Sequence, residues 1–290
     1  MTMAALPVSL RTATDGDVRA LEGVMLATET PAPGEPATPP GAQEPYLAHL
    51  VARGHVVLAE LGGAVVGFGA TVDTGRAIHL ADLFVLPEHH GRGIGGRLLA
   101  AVFGDARRRT TFASDDPRAL PLYVRAGMRA LWPCLYVAGD PGRVATASAE
   151  YAVEEVDLSE MARLERGWSG VEREPDLPYW ASIPEATAFA IGRAGVRVAT
   201  GLWRRRIRGI GHWLDHLQVA PAADPLPALL AAFRYGARFG NRGGACVPGP
   251  SPVVRPLLEA GFRVVDRDTF MASDPGVVDP EREIVNTGIL

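Results

Sequence analysis

Six consecutive residues, Gly91-Arg92-Gly93-Ile94-Gly95-Gly96, have the composition of a phosphate cradle. Glycines let backbone come close to an anion, and the first-turn N–H groups of a helix lack internal partners and point outward. Arg92 and Arg97 add positive charge. Just upstream, Asp82 precedes the apolar run Leu83-Phe84-Val85-Leu86. A partly buried carboxylate there can have its pKa raised toward the range of a general base. A hydrogen-bonded strand-end carboxylate is the plainer alternative. His79 falls on the opposite face of a regular strand from Asp82, so the two would not share one cleft. It reads as a satisfied surface histidine. Glu88, His89 and His90 are adjacent and cannot converge easily, so no metal is expected.

These residues need a strand, a turn and a helix in that order. Leu83 to Leu86 reads as a buried strand that Pro87 ends, because proline has no N–H for the ladder. Arg97 to Phe103 has helix-forming composition. Three phosphate readings compete. A P-loop needs Gly-Lys-Ser/Thr, and the sequence contains no lysine. Gly91 to Gly96 satisfies the dinucleotide pattern G-x-G-x-x-G, but several strand-like runs precede it and no acidic-ended strand follows at the right distance. The third reading fits better. His90-Gly91-Arg92-Gly93-Ile94-Gly95 after Val85-Leu86-Pro87 resembles the coenzyme A pyrophosphate loop of the GNAT superfamily of acyl-CoA-dependent N-acyltransferases. The family pattern is Arg/Gln-x-x-Gly-x-Gly/Ala after Val-x-Pro, and His90 departs from it in the Arg/Gln slot. A second segment, Ala119 to Met128, is similar to the family's Ala-x-x-x-Tyr-x-x-x-Gly-Phe, with Tyr123 and Gly127 matching and Met128 standing in place of the Phe.

The order of elements follows. A strand at Val8 to Arg11 precedes a helix through Leu21, Val24, Met25 and Leu26 at helical spacing. Residues 30–45 are proline-rich and form a loop within the domain; the resemblance implies a part in the acceptor pocket, and a mobile surface loop is the alternative. A hairpin turns at Gly62-Gly63, and a strand from about Ala77 leads into the glycine turn. The order β-α-α-β-β-β-α-β-α-β over residues 6–139 resembles the GNAT core. Residues 140–149 read as a linker. The plan then restarts, with Val219-Ala220-Pro221 echoing Val85-Leu86-Pro87 and Gly261-Phe262 echoing Gly127-Met128. This second copy has lost the glycine turn. Asp224 would set negative charge where pyrophosphate sits, and Pro225 removes a donor. The expected fold is α/β (α+β): two tandem GNAT folds, each a mixed, mainly antiparallel sheet flanked by helices. The first copy covers 1–139, the degenerate copy 150–273, and a loosely packed tail 274–290.

The resemblance implies an acetyl-CoA-dependent N-acetyltransferase acting by direct attack in the first copy. His90, Gly91, Arg92, Gly93, Ile94, Gly95, Gly96 and Arg97 would hold the cosubstrate's pyrophosphate. A splayed strand at Leu83, Phe84 and Val85 would offer N–H groups to the thioester and pantetheine. Asp82 would be the base and Tyr123 the proton donor to the thiolate, unless Tyr123 is a core tyrosine. Trp168, Trp180 and the second copy could all shape the acceptor pocket. Small amines, protein N-termini and lysines all stay open as acceptors. A non-catalytic acyl-CoA sensor is the runner-up, and a nucleotide-binding oxidoreductase the third reading.

Composition bounds the rest. At 290 residues the chain suits two ordinary domains. A net charge of −4 gives no basic surface for nucleic acid, and no apolar run reaches a membrane span. A cytoplasmic protein is expected. Cys134 and Cys246 are far apart in sequence and read as buried apolar residues. Arg107-Arg108-Arg109 suits a helix end or the adenosine 3′-phosphate, and Arg204-Arg205-Arg206 reads as a solvated hairpin edge.

Overall fold

The computed structural model describes residues 7–29, 37–145, 150–206 and 211–290. The expectations for residues 30–36 of the proline-rich loop and 146–149 of the linker lie outside these. The first copy runs β1 (Ser9–Thr12), α1 (Val18–Thr28), α2 (Glu44–Arg53), β2 (His55–Leu61), β3 (Ala64–Asp73), β4 (Ile78–Val85), α3 (Ile94–Phe103), β5 (Arg109–Ala113), α4 (Ala119–Arg125) and β6 (Arg129–Gly139). That is the order read from sequence. The second copy follows with β7 (Tyr151–Glu155), α5 (Leu158–Ser169), α6 (Leu177–Ser182), β8 (Thr187–Arg193), β9 (Val196–Arg205), β10 (His212–Val219), α7 (Pro225–Tyr235), β11 (Gly243–Pro248), α8 (Val254–Glu259) and β12 (Arg263–Ala272). A last short strand, β13, spans Glu283–Ile284.

Alternation along β2 explains the layering. Val56 and Leu58 pack under α1 and α2 with Leu21, Val24, Leu47 and Leu50. Val57 and Ala59 face the other way, against Leu98, Leu99, Val102 and Phe103 of α3. Gly95 and Gly96 inside α3 cost about 1 kcal/mol each relative to alanine. Burying Leu98, Leu99 and Phe103 contributes about 1.5–3 kcal/mol apiece, so packing rather than propensity holds this helix.

The strands join in one sheet, in the order β1-β2-β3-β4-β5-β12-β6-β11-β10-β9-β8-β7, with β13 on β10. The two copies exchange their last strands. β12 of the second copy pairs with β5 of the first, Thr269 opposite Ala113. β6 of the first pairs with β11 of the second, Val137 opposite Ala245. Strand pairing thus crosses the division expected near residue 139.

Two expectations are corrected. Cys134 on β6 and Cys246 on β11 are not independent core residues. Their strands are neighbours, their Cα atoms lie 5.9 Å apart and their sulfurs are joined as a disulfide. The segment after Asp274 is not loosely packed: Val277, Val278, Ile284, Val285, Ile289 and Leu290 are all buried. Its apolar side chains fill the seam between the copies. No helix among the described residues is long and apolar enough to cross a membrane.

Candidate active site

The glycine turn is shaped by Gly91 and Gly93, whose φ of 75° and 72° lie in the left-handed region. Gly93 is the residue from which α3 starts. Among the described residues, nothing accepts from the N–H groups of Gly91 through Gly96. The Arg97 N–H is taken by the Gly93 carbonyl at 3.2 Å. A methyl on Gly95 or Gly96 would meet only Leu122, at 3.7 and 3.9 Å, so protein packing does not demand glycine at either position. A close-lying anion would. Arg92 is exposed and without a side-chain partner among the described residues. The Arg97 guanidinium turns back to the Val8 carbonyl at 3.1 Å.

His90 does not face outward from the turn. Its Nε2–H donates to the Val85 carbonyl at 2.7 Å, which leaves Nδ1 as the acceptor for the Arg118 guanidinium. Asp116 holds Arg118 through Nε at 2.9 Å. A cation therefore stands beside the turn, delivered by the chain entering α4. No sequence signal singled out Arg118.

Below the turn, β4 and β5 part. They pair in parallel only through Ile78 to Leu80 with Arg109 to Thr111. On its other edge β4 stays paired with β3 up to Val85. The Leu86 N–H donates to Val66 at 2.9 Å. Alternation along an antiparallel ladder then turns the Leu83 and Val85 N–H groups into the open fork. The Phe84 N–H falls on the β3 side, so its backbone is no free donor, and its ring packs on Phe68 with centroids 5.6 Å apart.

A β-bulge at Ala81 breaks the alternation of β4: Asp82 lies opposite Ala70, but Leu80 lies opposite Thr71. Leu80, Leu83 and Val85 pack toward α3, whereas Asp82 reaches Tyr46 of α2 and His79 reaches Thr287. His79 and Asp82 therefore share a face, contrary to the expectation for a regular strand. Nor is His79 on the surface. It is fully buried, accepts from the Thr110 hydroxyl at 3.1 Å and donates to the Thr287 carbonyl at 3.0 Å. Burial pushes its pKa down to about 4, so it is neutral.

The Tyr46 hydroxyl donates to Asp82 Oδ2 at 3.0 Å. Burial raises the Asp82 pKa to about 6, against the opposing pull of that hydrogen bond. Tyr123 stands on the opposite side of β4, among Ile94, Leu98 and Leu99. Burial and then the Asp82 charge raise its pKa well above the usual phenol value, while a hydrogen bond with Thr111 opposes them. Thr111 itself donates to the Leu80 carbonyl at 3.1 Å, at the point where the strands part. A carboxylate and a protonated phenol thus flank one opening, the fork between β4 and β5.

The second copy repeats the frame without the chemistry. β10 parts from β11 after Leu214 and Ala245. It carries its own bulge at Asp215, so His216 stands where Asp82 stands. His216 pairs with Glu165 at 2.9 Å and stacks on Trp180 with centroids 4.8 Å apart. Trp180 is thereby core, not acceptor wall. Arg204 is half-buried and paired with buried Asp215, which corrects the solvated reading of that residue. At the start of α7, Asp224 accepts from the Leu226 N–H at 3.2 Å and Pro225 follows, so the donors an anion would use are occupied or missing.

Sequence reasoning missed Tyr46. A signal existed, because Glu44-Pro45-Tyr46 and Leu177-Pro178-Tyr179 open corresponding helices.

Residues 24–128, from α1 to the turn after α4, match the family model described as Acetyltransferase (GNAT) family. Similar solved structures span both copies. A candidate acetyltransferase from Pyrococcus horikoshii has 16% identity and a TM-score of 0.68, covering 98% of this chain and 94% of its own. A tandem GNAT protein from the clavulanic acid biosynthesis pathway has 16% identity and a TM-score of 0.62, covering 93% and 100%. A GCN5-related N-acetyltransferase from Sphaerobacter thermophilus has 14% identity and a TM-score of 0.58, covering 98% and 100%. With the glycine turn, the forked strand and its bulge in place, residues 24–128 belong to the acetyltransferase (GNAT) family, in a chain with the fold of a tandem GNAT protein.

Proposed function

We propose that the first copy transfers an acetyl group from acetyl-CoA to an amine by direct attack. The observation that carries this is the fork: free N–H groups of Gly91 to Gly96 above it, and Asp82 and Tyr123 on its two sides. The pyrophosphate lies on the turn, where six unpaired N–H groups and the α3 N-terminus favour it. The pantetheine enters between β4 and β5. A Leu83 or Val85 N–H polarises the thioester carbonyl. The amine approaches from the α2 side and gives a proton to ionised Asp82. Its lone pair forms the new C–N bond, the tetrahedral oxyanion collapses, and the C–S bond breaks. The leaving thiolate takes the Tyr123 proton. The amine is a small molecule, a protein N-terminus or a lysine. The protein works in the cytoplasm.

Calorimetric titration with acetyl-CoA, followed by CoA-thiol release across an amine panel, tests the reading. The wild type binds at micromolar concentration, and the Gly93→Asp, Gly95→Asp double variant does not. Folded wild type that fails to bind refutes the proposal.

A further inference from the structure

In the first copy the fork between β4 and β5 is open to a ligand. In the second copy the corresponding fork is filled by protein. Leu217 pairs with Ile284 and Gln218 with Glu283, so β13 lies along β10 beyond the point where β11 leaves it. The Val219 N–H donates to the Arg282 carbonyl at 2.9 Å. Val219 corresponds to Val85, whose N–H faces the empty fork. Just above, the Arg282 guanidinium donates to the Ala220 and Ala223 carbonyls at 3.0 and 2.7 Å. That turn replaces the glycine turn of the first copy. The filled fork therefore holds a cation at its turn and extended backbone amides along its strand edge.

The same segment is fixed by the first copy. Arg76, between β3 and β4, makes a bidentate pair with Glu283 at 2.9 and 2.8 Å. Asn286 donates to Asp215 at 2.9 Å, and the Thr287 carbonyl accepts from His79 at 3.0 Å. Gly288 lies so close to Tyr46 that a methyl there would sit 2.7 Å from its hydroxyl. Arg173 donates to the Ile289 carbonyl at 3.3 Å, and Ile289 and Leu290 are buried.

We propose that the second copy is a receptor groove for the chain's own C-terminal peptide, residues 279–290, which occupies the fork that the first copy offers to acyl-CoA. An extended peptide suits such an edge, because its amides supply the ladder bonds a strand lacks. The equation of the two forks rests on the function proposed above; the docking of the peptide does not. Docked, the segment carries Thr287 and Gly288 against His79 and Tyr46, so the second copy shapes the first copy's acceptor side through it.

Full-length protein and a full-length Arg282→Ala, Ile284→Asp variant test this. Amide exchange at Leu217 and Val219 is expected to be at least tenfold faster in the variant, with β2 and β3 unchanged. A synthetic peptide of residues 279–290 should bind the variant at micromolar concentration, slow those amides again, and bind wild type negligibly. Both proteins should bind one equivalent of acetyl-CoA. Unchanged exchange at Val219, no peptide binding to the folded variant, or a second equivalent of acetyl-CoA in the variant would each overturn the proposal. Failure of the acetyltransferase reading would show differently, as wild type that binds no acetyl-CoA while its Val219 amide stays protected.

Discussion

The ring of Tyr46 lies 6.2 Å from the ring of Tyr179. Each opens the second helix of its copy after a proline, so the two copies meet at equivalent residues. Their surroundings differ. Tyr46 bonds to Asp82, whereas Tyr179 stacks on His49 with centroids 4.9 Å apart and has its pKa raised to about 12, chiefly by burial. One side of the contact is a candidate base and its hydrogen-bond donor. The other is a packed wall.

Asp82 must be ionised to accept a proton, and its pKa is raised to about 6. The acetyl-transfer rate kcat/KM should therefore fall as pH drops through about 6. Tyr46 lowers that pKa through its hydrogen bond, so Tyr46→Phe should move the acid limb to higher pH. Asp82→Asn should cost about 10²–10⁴-fold in rate at pH 8 with acetyl-CoA affinity kept. A pH–rate profile of the three proteins checks both.

Tyr123→Phe keeps the ring that packs against α3 and removes the proton. The variant should fold with unchanged thermal midpoint and bind acetyl-CoA normally, but lose about 10²-fold or more in kcat. Equal loss of affinity would mean that Tyr123 serves the cleft as core alone.

Arg118 is held against His90 and Asp116 beside the glycine turn. Arg118→Ala should weaken acetyl-CoA about tenfold, in the range of one charge-assisted contact. It should leave S-acetylpantetheine, which has no pyrophosphate, unaffected. Calorimetry with both compounds gives the comparison.

His216 is buried between Glu165 and Asp215, with Arg173 and Arg204 close by. Burial pulls its pKa down, but Glu165 and Asp215 more than offset this, and the net shift is upward. A raised folded pKa means stability fully present below the unfolded value of about 6.5 and lost as pH rises through the folded one. His216→Asn leaves buried carboxylates short of a cation, at a cost of about 3–5 kcal/mol. Thermal melts should show that gap narrowing from pH 6 to pH 9.

Gly67 on β3 faces β4 so closely that a methyl would lie 2.7 Å from the Phe84 carbonyl. Gly67→Ala must shift the strand that carries the site. Activity should drop more than global stability does, read by kcat/KM against the denaturation midpoint.

Most elements of both copies are legible because their signals are local; α6, at Leu177–Ser182, is too short to show a helical period. Apolar spacing marks α1 and α3, and Gly-Gly marks the β2–β3 turn. What was illegible depends on partners distant in sequence. Nothing in Arg263 to Ala272 says that it pairs with β5 rather than closing its own copy. The bulge at Ala81 carries no glycine or proline, so Asp82 and His79 were read onto opposite faces. The packing of the tail is illegible because its apolar residues come in isolated pairs, Val277-Val278, Ile284-Val285 and Ile289-Leu290, too short to show a period or what they cover. The glycine turn and the helix after it are legible from composition, whereas the contact of the Arg97 guanidinium with the Val8 carbonyl depends on a partner distant in sequence.

The strand exchange also sets a schedule. On the ribosome, β5 emerges at residue 113 but meets β12 only after residue 272 has been made. At about 5–20 residues per second, the first copy waits roughly 8–30 seconds with an unpaired edge. Such an edge is a template for wrong partners. Nascent chains halted between the copies should be held by chaperones or aggregate, and full-length translation should release them.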